Sequence, residues 1–323
     1  MHAPVVVLGA SGFLGSHLVR ALRAGGHPVR AVSRTPARVP EDCGVEVVLA
    51  DLSVPGAAAV ALEGASAVVH LVADIDTVGG RGWRTAEGAA GAATPPDRVL
   101  TEVVEALAAA PDPLPVVWTG SVAQVGERES TLVTGTEPDH PETAYDRGKC
   151  AAEAILLDAG RRGVLRPVPV RLPTLYGPPA APGCSAGGGV VTAMVRRALA
   201  GDPLTMWNDG RIDRDLLHVA DTAAALVHAL SLPGPRDGRA WLVGGDAPVE
   251  LGTLFERISA TCAAVTGKPP VPVQRVPAPD YATAADLRGI AVDSTPFRLA
   301  TGWTPRVGLA DGLRETVAHV ARN

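Results

Sequence analysis

Tyr145 and Lys149 stand four residues apart in the stretch TAYDRGKC at residues 143–150, so a helix would present both side chains on one face. The chain holds only three tyrosines and two lysines, and this spacing would arise by chance in roughly 2 of 100 such chains. A tyrosine with an ordinary pKa of about 10 is a weak acid–base catalyst at neutral pH, but a neighbouring ammonium favours the phenolate and lowers that pKa. The pair is therefore a candidate acid–base centre, and one turn of an ordinary helix is the alternative.

The elements that must hold this pair alternate between strands and helices in the first half of the chain. Segments with helical spacing separate five short apolar runs, which are VVVL at 5–8, VRAVSR at 29–34, VEVVLA at 45–50, AVVHLV at 67–72 and PVVWTG at 115–120. Such alternation is typical of βαβ units, and continuous apolarity is what a parallel sheet covered on both faces requires. The sequence therefore predicts an α/β fold with a doubly wound parallel sheet.

The pattern changes in the second half of the chain. A Pro/Gly loop, GPPAAPGCSAGGG at 177–189, precedes predicted helices near 190–201, 220–231 and 250–266 and a strand in AWLVG at 240–244. We predict a dinucleotide-binding domain over 1–173 plus about 214–240. A smaller domain is predicted over about 174–213 and 241–323.

The composition excludes several classes of protein. With 46% apolar and 20% charged residues among 323, the chain is globular rather than disordered, and its net charge of −5 argues against nucleic-acid binding. Four cysteines without a C-x-x-C pair indicate neither a metal site nor a disulfide framework. The sequence shows no leader peptide and no long apolar span, so we expect a cytoplasmic protein without a membrane partner.

A glycine-rich loop lies between the first predicted strand and the first helix. The stretch VVVLGASGFLGSHL spaces Gly9, Gly12 and Gly15 as G-x-x-G-x-x-G. Glycines here allow a tight turn and a backbone that touches a pyrophosphate at a helix N-terminus. The loop predicts a dinucleotide cofactor, and a glycine-rich turn without a ligand is the alternative.

The end of the second strand indicates which dinucleotide. An acid at this point would bind the 2′-hydroxyl of NAD, but the sequence has Ser33 and Arg34, with Arg38 following. An arginine can bind a 2′-phosphate, so NADPH is predicted as the cofactor, although Arg34 could also be a solvated surface residue. Asp51, after the third strand, either borders the adenine or caps the next helix.

Several motifs in this order resemble the extended short-chain dehydrogenase/reductase family, the group of nucleotide-sugar epimerases, dehydratases and ketoreductases. They are the glycine loop, HLVA at 70–73, GSVAQVG at 120–126, YDRGK at 145–149, RLPTLYGP at 171–178, RDLLHVAD at 214–221 and GWTP at 302–305. The resemblance implies a Rossmann-type doubly wound sheet with a smaller α+β C-terminal substrate-binding domain. It also allows a homodimer that pairs through the Tyr145 helix, and the oligomeric state stays open.

The resemblance assigns roles to individual residues. Tyr145 would transfer the proton, Lys149 would tune it and hold the nicotinamide ribose, and Ser121 would hydrogen-bond the reacting oxygen. The implied cofactor contacts are Gly9, Ser11, Gly12, Phe13, Leu14, Gly15, Ser33, Arg34, Arg38, Asp51, Leu52, Leu71, Val72, Ala73, Tyr145, Lys149 and Pro173. The implied substrate contacts are Trp83, Arg84, Ser121, Val122, Gln124, Thr174, Arg211 and Arg214.

Some of these substrate contacts have alternatives. Arg214 matches an arginine that meets the diphosphate, but it could instead pair with Asp213, Asp215 or Asp221. Trp83 could pack on a deoxysugar or anchor its own loop. Thr174 replaces the asparagine that is usual in the family, which leaves that contact in doubt.

The residues after Ser121 narrow the reaction. A 4,6-dehydratase of this family needs an Asp-Glu pair where this chain has Val122 and Ala123, which cannot move a proton. The GRGWR segment at 80–84 resembles ketoreductases of antibiotic deoxysugar pathways. We therefore expect NADPH-dependent reduction of the C4 ketone of a TDP-4-keto-6-deoxyhexose. The alternatives are a 4-epimerase with bound NAD and, less favoured, a dinucleotide sensor without catalysis.

Overall fold

Seven parallel strands form the central sheet of the computed structural model, which describes residues 3–37, 44–72, 96–278, 282 and 284–322. The strands are β1 (Val5–Leu8), β2 (Val29–Ser33), β3 (Val45–Leu49), β4 (Ala67–His70), β5 (Leu114–Ser121), β7 (Leu165–Leu172) and β12 (Trp241–Leu242). Their order across the sheet is β12-β7-β5-β4-β1-β2-β3. The predicted doubly wound parallel sheet is confirmed.

Side chains of the central strands alternate between two apolar layers. Along β1, Val5 and Val7 enter one core, whereas Val6 and Leu8 enter the other. Both faces of the sheet are therefore buried under apolar side chains, which explains why these strands are uninterrupted apolar runs in the sequence.

Helices cover the two faces of the sheet. One layer consists of α1 (Phe13–Ala24) and α6 (Val219–Ala229), and the other of α2 (Ala57–Leu62), α3 (Pro96–Leu107) and α4 (Ala144–Arg161). Starting from β1, the chain adds β2 and β3 on one side of it and then β4, β5, β7 and β12 on the other, and ligands of such folds bind outside the carboxyl ends of the strands at this change.

The remaining elements form smaller sheets and a third apolar core. The short strands are β6 (Leu132–Val133), β8 (Thr174–Tyr176), β9 (Leu204–Trp207), β10 (Asp213–Arg214), β11 (Leu216–His218), β13 (Val249–Glu250), β14 (Val273–Val276) and β15 (Ala291–Val292). They pair as β6 with β15, β8 with β11, β9 with β14 and β10 with β13. In the third core, α5 (Val190–Ala200), α7 (Leu251–Thr266) and α9 (Leu309–Val320) pack against one another.

The boundary predicted near residue 240 lies just ahead of β12. This strand pairs with β7, so Trp241 and Leu242 belong to the central sheet although they follow the predicted boundary. The division of the chain into two domains otherwise stays a prediction. Within the described ranges, no helix combines the length and apolarity of a membrane span.

Phe297 connects the C-terminal segment to the central core. It lies on α8 (Thr295–Thr301), is fully buried, and packs edge-to-face on Trp241 and Trp303 at centroid distances of 6.2 and 5.7 Å. The ring thus joins β12 to the segment that follows α8.

Replacing Phe297 should test this connection. We expect Phe297→Ala to lower the free energy of unfolding by about 3–5 kcal/mol, because it leaves a cavity between two tryptophans. Urea denaturation followed by tryptophan fluorescence would measure the change. Leu299→Ala, on the same helix at 82% exposure, is the control and should change stability by less than about 0.5 kcal/mol. Equal losses in the two variants would contradict the assignment.

Candidate active site

The glycine loop forms a backbone cradle at the start of α1. Gly9 has a φ of +88°, which favours glycine, and a Cβ on Gly15 would lie 2.2 Å from the Gly9 carbonyl oxygen. Gly12 begins the helix as its N-cap and contributes no side-chain hydrogen bond. The loop therefore fits a pyrophosphate, which would receive hydrogen bonds from backbone N–H groups at the helix N-terminus.

Neighbouring residues shape both sides of this cradle. The Thr35 hydroxyl donates to the Ser11 hydroxyl at 3.1 Å, which ties the end of β2 to the glycine loop. Phe13 lies against Gly187, where an added Cβ would approach its ring to 2.8 Å, so the loop at 177–189 borders the cradle. Leu14 is partly buried against the core that contains α1.

The carboxyl end of β2 presents Arg34 to solvent. Ser33 is buried and its hydroxyl donates to the Thr35 carbonyl at 2.6 Å, whereas Arg34 is exposed. The described residues of this edge therefore offer a guanidinium rather than a carboxylate. Arg38, the other predicted contact, lies outside the described residues.

The ends of β3 and β4 supply the rest of the predicted cofactor surface. Asp51 is exposed and accepts from the backbone N–H and the hydroxyl of Ser53, which lowers the pKa of Asp51. The carboxylate thus closes a local turn, and α2 begins later, after Gly56. Leu52 is buried, Leu71 and Val72 are partly buried beside the glycine loop, and Ala73 lies outside the described residues.

Ser121, Tyr145 and Lys149 meet where β5 ends and α4 begins. Thr143 caps α4 by accepting from the Asp146 N–H at 3.1 Å, and the Asp146 carboxylate accepts from Thr143 in return. This capping box starts the helix one residue ahead of Tyr145 and so places the tyrosine in its first turn, beside the last residue of β5.

Lys149 is anchored to β5. Its ammonium donates to the Thr119 carbonyl at 2.7 Å and lies 4.9 Å from the centre of the Trp118 ring. Burial lowers the pKa of Lys149 to about 8, and the carboxylate of Glu153 opposes this shift. Lysine is suited to such a site because its charge sits on a flexible stem.

The pKa of Tyr145 is dominated by desolvation in the protein alone. Burial, followed by the charge of Asp146, raises the pKa of Tyr145 to about 12, and a hydrogen bond with Ser121 opposes this shift. The Lys149 Nζ is 5.8 Å from the centre of the tyrosine ring. The predicted lowering of this pKa relies on the ammonium together with the charge of a bound nicotinamide, and it stays a prediction.

The residues that follow Ser121 point away from solvent. Val122 packs in a small core with Val125 and Val133, and Gln124 is 0% exposed. The Gln124 amide oxygen accepts from the Ser121 N–H at 2.8 Å and its nitrogen donates to Glu153 at 3.1 Å. The side chains of Val122 and Gln124 were predicted to contact substrate; the structure buries them, and Gln124 supports Ser121 through its hydrogen bond.

Arg128, Arg214 and Arg288 form a cluster of three arginines. Arg214 donates to the carbonyl oxygens of Asp286 and Arg288, both at 2.6 Å. Burial lowers the pKa of Arg214, and the pKa of Arg128 is lowered by burial and by the charge of Arg288. Arg128 and Arg288 were not predicted, since nothing in the sequence around them marks a site.

The other predicted substrate contacts are dispersed. Arg211 is exposed, and Thr174 pairs with Leu216 in the small β8–β11 sheet. Pro173, a predicted cofactor contact, is buried between β7 and β8. Trp83 and Arg84 lie outside the described residues.

His70 is a buried histidine that the sequence analysis left unassigned. It ends β4, is 0% exposed, and has no hydrogen-bond partner for either ring nitrogen among the described residues. Burial, followed by the charge of Lys149, lowers the pKa of His70 to about 3. The imidazole is therefore neutral next to the Lys149 ammonium.

The sequence and the fold of the chain are similar to those of known proteins. A family model described as the NAD dependent epimerase/dehydratase family matches residues 5–244. The solved structure of MoeE5 in complex with UDP-glucuronic acid and NAD is similar, with 26% identity, a TM-score of 0.76 and 99% of both chains covered.

Curated relatives match over parts of their length. The 2'-dehydrokanamycin reductase of Streptomyces kanamyceticus is 30% identical over 265 residues, which are 79% of this chain and 65% of that protein. The UDP-glucose 4-epimerase of Mycolicibacterium smegmatis is 30% identical over 184 residues, 56% of this chain and 53% of that protein. The dTDP-glucose 4,6-dehydratase of Streptomyces niveus is 30% identical over 181 residues, 56% of this chain and 49% of that protein. The match thus spans about half the length of the latter two proteins.

The buried neutral imidazole predicts a specific acid sensitivity. His70 has a folded pKa of about 3, below the value of about 6.5 in an unfolded chain, so the unfolded state binds the extra proton and stability falls as pH drops below 6.5. Between pH 6.5 and 5 this group should remove about 1.5 kcal/mol. We expect His70→Leu to lose less stability over that interval than the parent protein, as measured by urea denaturation.

His140→Leu, at an exposed position, is the control and should keep the pH dependence of the parent. An unchanged pH dependence in His70→Leu would mean that His70 is not buried in its neutral form.

Proposed function

Since this chain belongs to the NAD dependent epimerase/dehydratase family, we propose that it reduces the C4 ketone of a nucleotide 4-keto-6-deoxyhexose with NADPH. The observation that carries the proposal is the grouping of Ser121, Tyr145 and Lys149 where β5 ends and α4 begins, in a sheet whose β1 and β2 carry the glycine loop and an exposed Arg34 at their carboxyl ends. The nucleotide is proposed to be TDP.

The chain's own residues would hold the cofactor and place the ketone. Gly9, Gly12 and Gly15 would cradle the pyrophosphate, and Lys149 would hydrogen-bond the nicotinamide ribose. When bound, the cofactor supplies a hydride. Ser121 and Tyr145 would donate hydrogen bonds to the ketone oxygen, where negative charge develops during reduction.

The pKa of Tyr145 favours proton donation. At a pKa of about 12, only about 1 in 10⁵ tyrosines is ionised at pH 7, so the phenol retains the proton that an alkoxide needs. In the protein alone, burial thus keeps Tyr145 in the form that can donate a proton to the ketone oxygen.

The arginine cluster supports a nucleotide diphosphate as the substrate's anionic part. Arg128 and Arg214 donate to backbone carbonyl oxygens, and Arg288 donates to the Glu142 carboxylate at 2.6 Å. Guanidinium groups can bind phosphate oxygens in a bidentate manner, so we propose that Arg128 and Arg214 meet the anion while Glu142 holds Arg288.

Dehydration and epimerisation are the two alternative reactions, and the sequence and the comparisons support them unequally. Val122 and Ala123 stand where a 4,6-dehydratase carries acids, so dehydration lacks its proton donor. A 4-epimerase with bound NAD is the second candidate, favoured by the likeness to MoeE5, whose structure holds NAD, and to a UDP-glucose 4-epimerase. The 2'-dehydrokanamycin reductase, matched over more of this chain, favours reduction.

A single assay separates these candidates. Mixed with NADPH and a freshly generated TDP-4-keto-6-deoxyglucose, the protein should oxidise NADPH, seen as loss of absorbance at the nicotinamide band. Tyr145→Phe should lower kcat by about 10²–10⁴-fold with NADPH binding retained, because the proton donor is lost. Tyr176→Phe, which removes a buried hydroxyl from the third core, is the control and should stay within about twofold.

Two outcomes would contradict the proposal. Interconversion of UDP-sugars without added cofactor, together with NAD bound to the purified protein, would establish the epimerase. A Tyr145→Phe variant that keeps most of its activity would remove Tyr145 from the mechanism.

Arg34 provides a separate test of cofactor choice. Loss of a charge-assisted hydrogen bond to the 2′-phosphate costs about 1.5–3 kcal/mol, so Arg34→Leu should lower the preference for NADPH over NADH by about 10–100-fold. The ratio of kcat/KM values for the two cofactors is the measurement. Arg166 is exposed near the amino end of β7 and is the control: Arg166→Leu should leave the ratio unchanged. An unchanged ratio in Arg34→Leu would exclude the proposed contact.

A further inference from the structure

We infer that Gln124 is a positioning residue that orients the hydroxyl of Ser121. The inference rests on the proposed function only in that Ser121 acts on the reacting oxygen. Gln124 touches neither cofactor nor substrate, since its side chain is wholly buried behind the serine.

Ser121 is the N-cap of a short 3₁₀-helix, Val122–Val125. Its hydroxyl oxygen accepts from the Ala123 N–H at 3.1 Å, and the Gln124 side chain accepts from the Ser121 N–H at 2.8 Å. Together these bonds complete a reciprocal capping box. One lone pair of the hydroxyl is thereby occupied by the backbone, and the O–H is free to donate to Tyr145 or to a ketone oxygen.

The Gln124 amide is held in one orientation by a carboxylate. Its nitrogen donates to Glu153 Oε2 at 3.1 Å, and rotation of the amide by half a turn would place its oxygen against that carboxylate. The amide oxygen must therefore face the Ser121 N–H. Gly120 allows this approach, because a Cβ there would lie 2.5 Å from the amide oxygen.

Glu153 is fixed in turn by a buried arginine. Arg171 donates from Nε and Nη2 to both oxygens of Glu153, at 2.9 and 2.7 Å. It also donates to both oxygens of Asp139, at 2.6 and 2.7 Å. The chain Asp139–Arg171–Glu153–Gln124 thus connects the loop before α4 and the end of β7 to the catalytic serine.

The contacts of Gln124 cost desolvation free energy that an apolar core residue would not cost. The buried Gln124 amide loses hydration, and an apolar side chain at 124 would avoid that loss but would leave the Ser121 N–H without this acceptor. Gln124 is therefore best explained by what it does to Ser121, which is to keep the hydroxyl in a single orientation before the ketone arrives.

A double-mutant cycle tests the inference. Gln124→Val should lower kcat about tenfold, with the KM for NADPH within about twofold, because an intact but mispositioned serine loses part of one hydrogen bond. In a Ser121→Ala background the same change should have no further effect on kcat, since there is no hydroxyl left to orient. Multiplicative effects in the double variant would overturn the inference.

Two further variants separate positioning from general stability. Thr222→Val removes a comparable buried hydrogen bond, from Thr222 Oγ1 to the His218 carbonyl, and should destabilise the fold without changing kcat. Gln124→Glu places a second carboxylate against Glu153 and should lower kcat by moving the side chain away from the Ser121 N–H. A Gln124→Glu variant with the kcat of the parent would contradict the proposed chain, and this variant serves equally if Gln124→Val does not fold.

A structural readout keeps this test independent of the reaction. In a crystal structure of Gln124→Val, the distance from Ser121 Oγ to the Ala123 nitrogen should exceed 3.5 Å or the serine should occupy more than one rotamer. An unchanged serine would overturn the inference even if the enzyme is a reductase. An altered serine in a protein that does not oxidise NADPH would instead contradict the proposed function alone.

Discussion

A 2.7 Å hydrogen bond from the Lys149 ammonium to the Thr119 carbonyl joins α4 to the carboxyl end of β5, and the active site depends on it. It places the first turn of α4 over the last residue of the strand, which brings Tyr145 to Ser121. Because the lysine is buried, this contact also brings a cation into a region of low dielectric. The site is thus built at a junction of two elements that apolar packing holds rigid.

Burial shifts the pKa values of Tyr145, Lys149 and His70 at this junction. It raises the pKa of Tyr145 and lowers those of Lys149 and His70. The result is a tyrosine that keeps its proton and a histidine that stays neutral. Desolvation, rather than a pairwise contact between Tyr145 and Lys149, is therefore the main electrostatic influence of the protein on its proposed proton donor.

Buried polar groups behind the site form a second layer of support. Arg171 donates to the carboxylates of Glu153 and Asp139. The Glu153 carboxylate in turn accepts from the amide of Gln124, which forms the capping box with Ser121. The S-x-x-Q spacing of Ser121 and Gln124 is a capping box that could have been recognised in the sequence. The connection to Arg171 could not, because 47 positions separate it from Gln124 along the chain and only the pairing of β5 with β7 brings them together.

The sequence by itself determined the first five strands of the parallel sheet, the glycine loop and the Tyr145–Lys149 pair, because these depend on local periodicity and on residue types with few uses. Only the tertiary structure decided that Gln124 hydrogen-bonds the serine, that Arg128 and Arg288 join Arg214, and that β12 completes the sheet. The physical reason is that burial and side-chain direction depend on which distant segments pack together, and spacing along one segment does not carry that information.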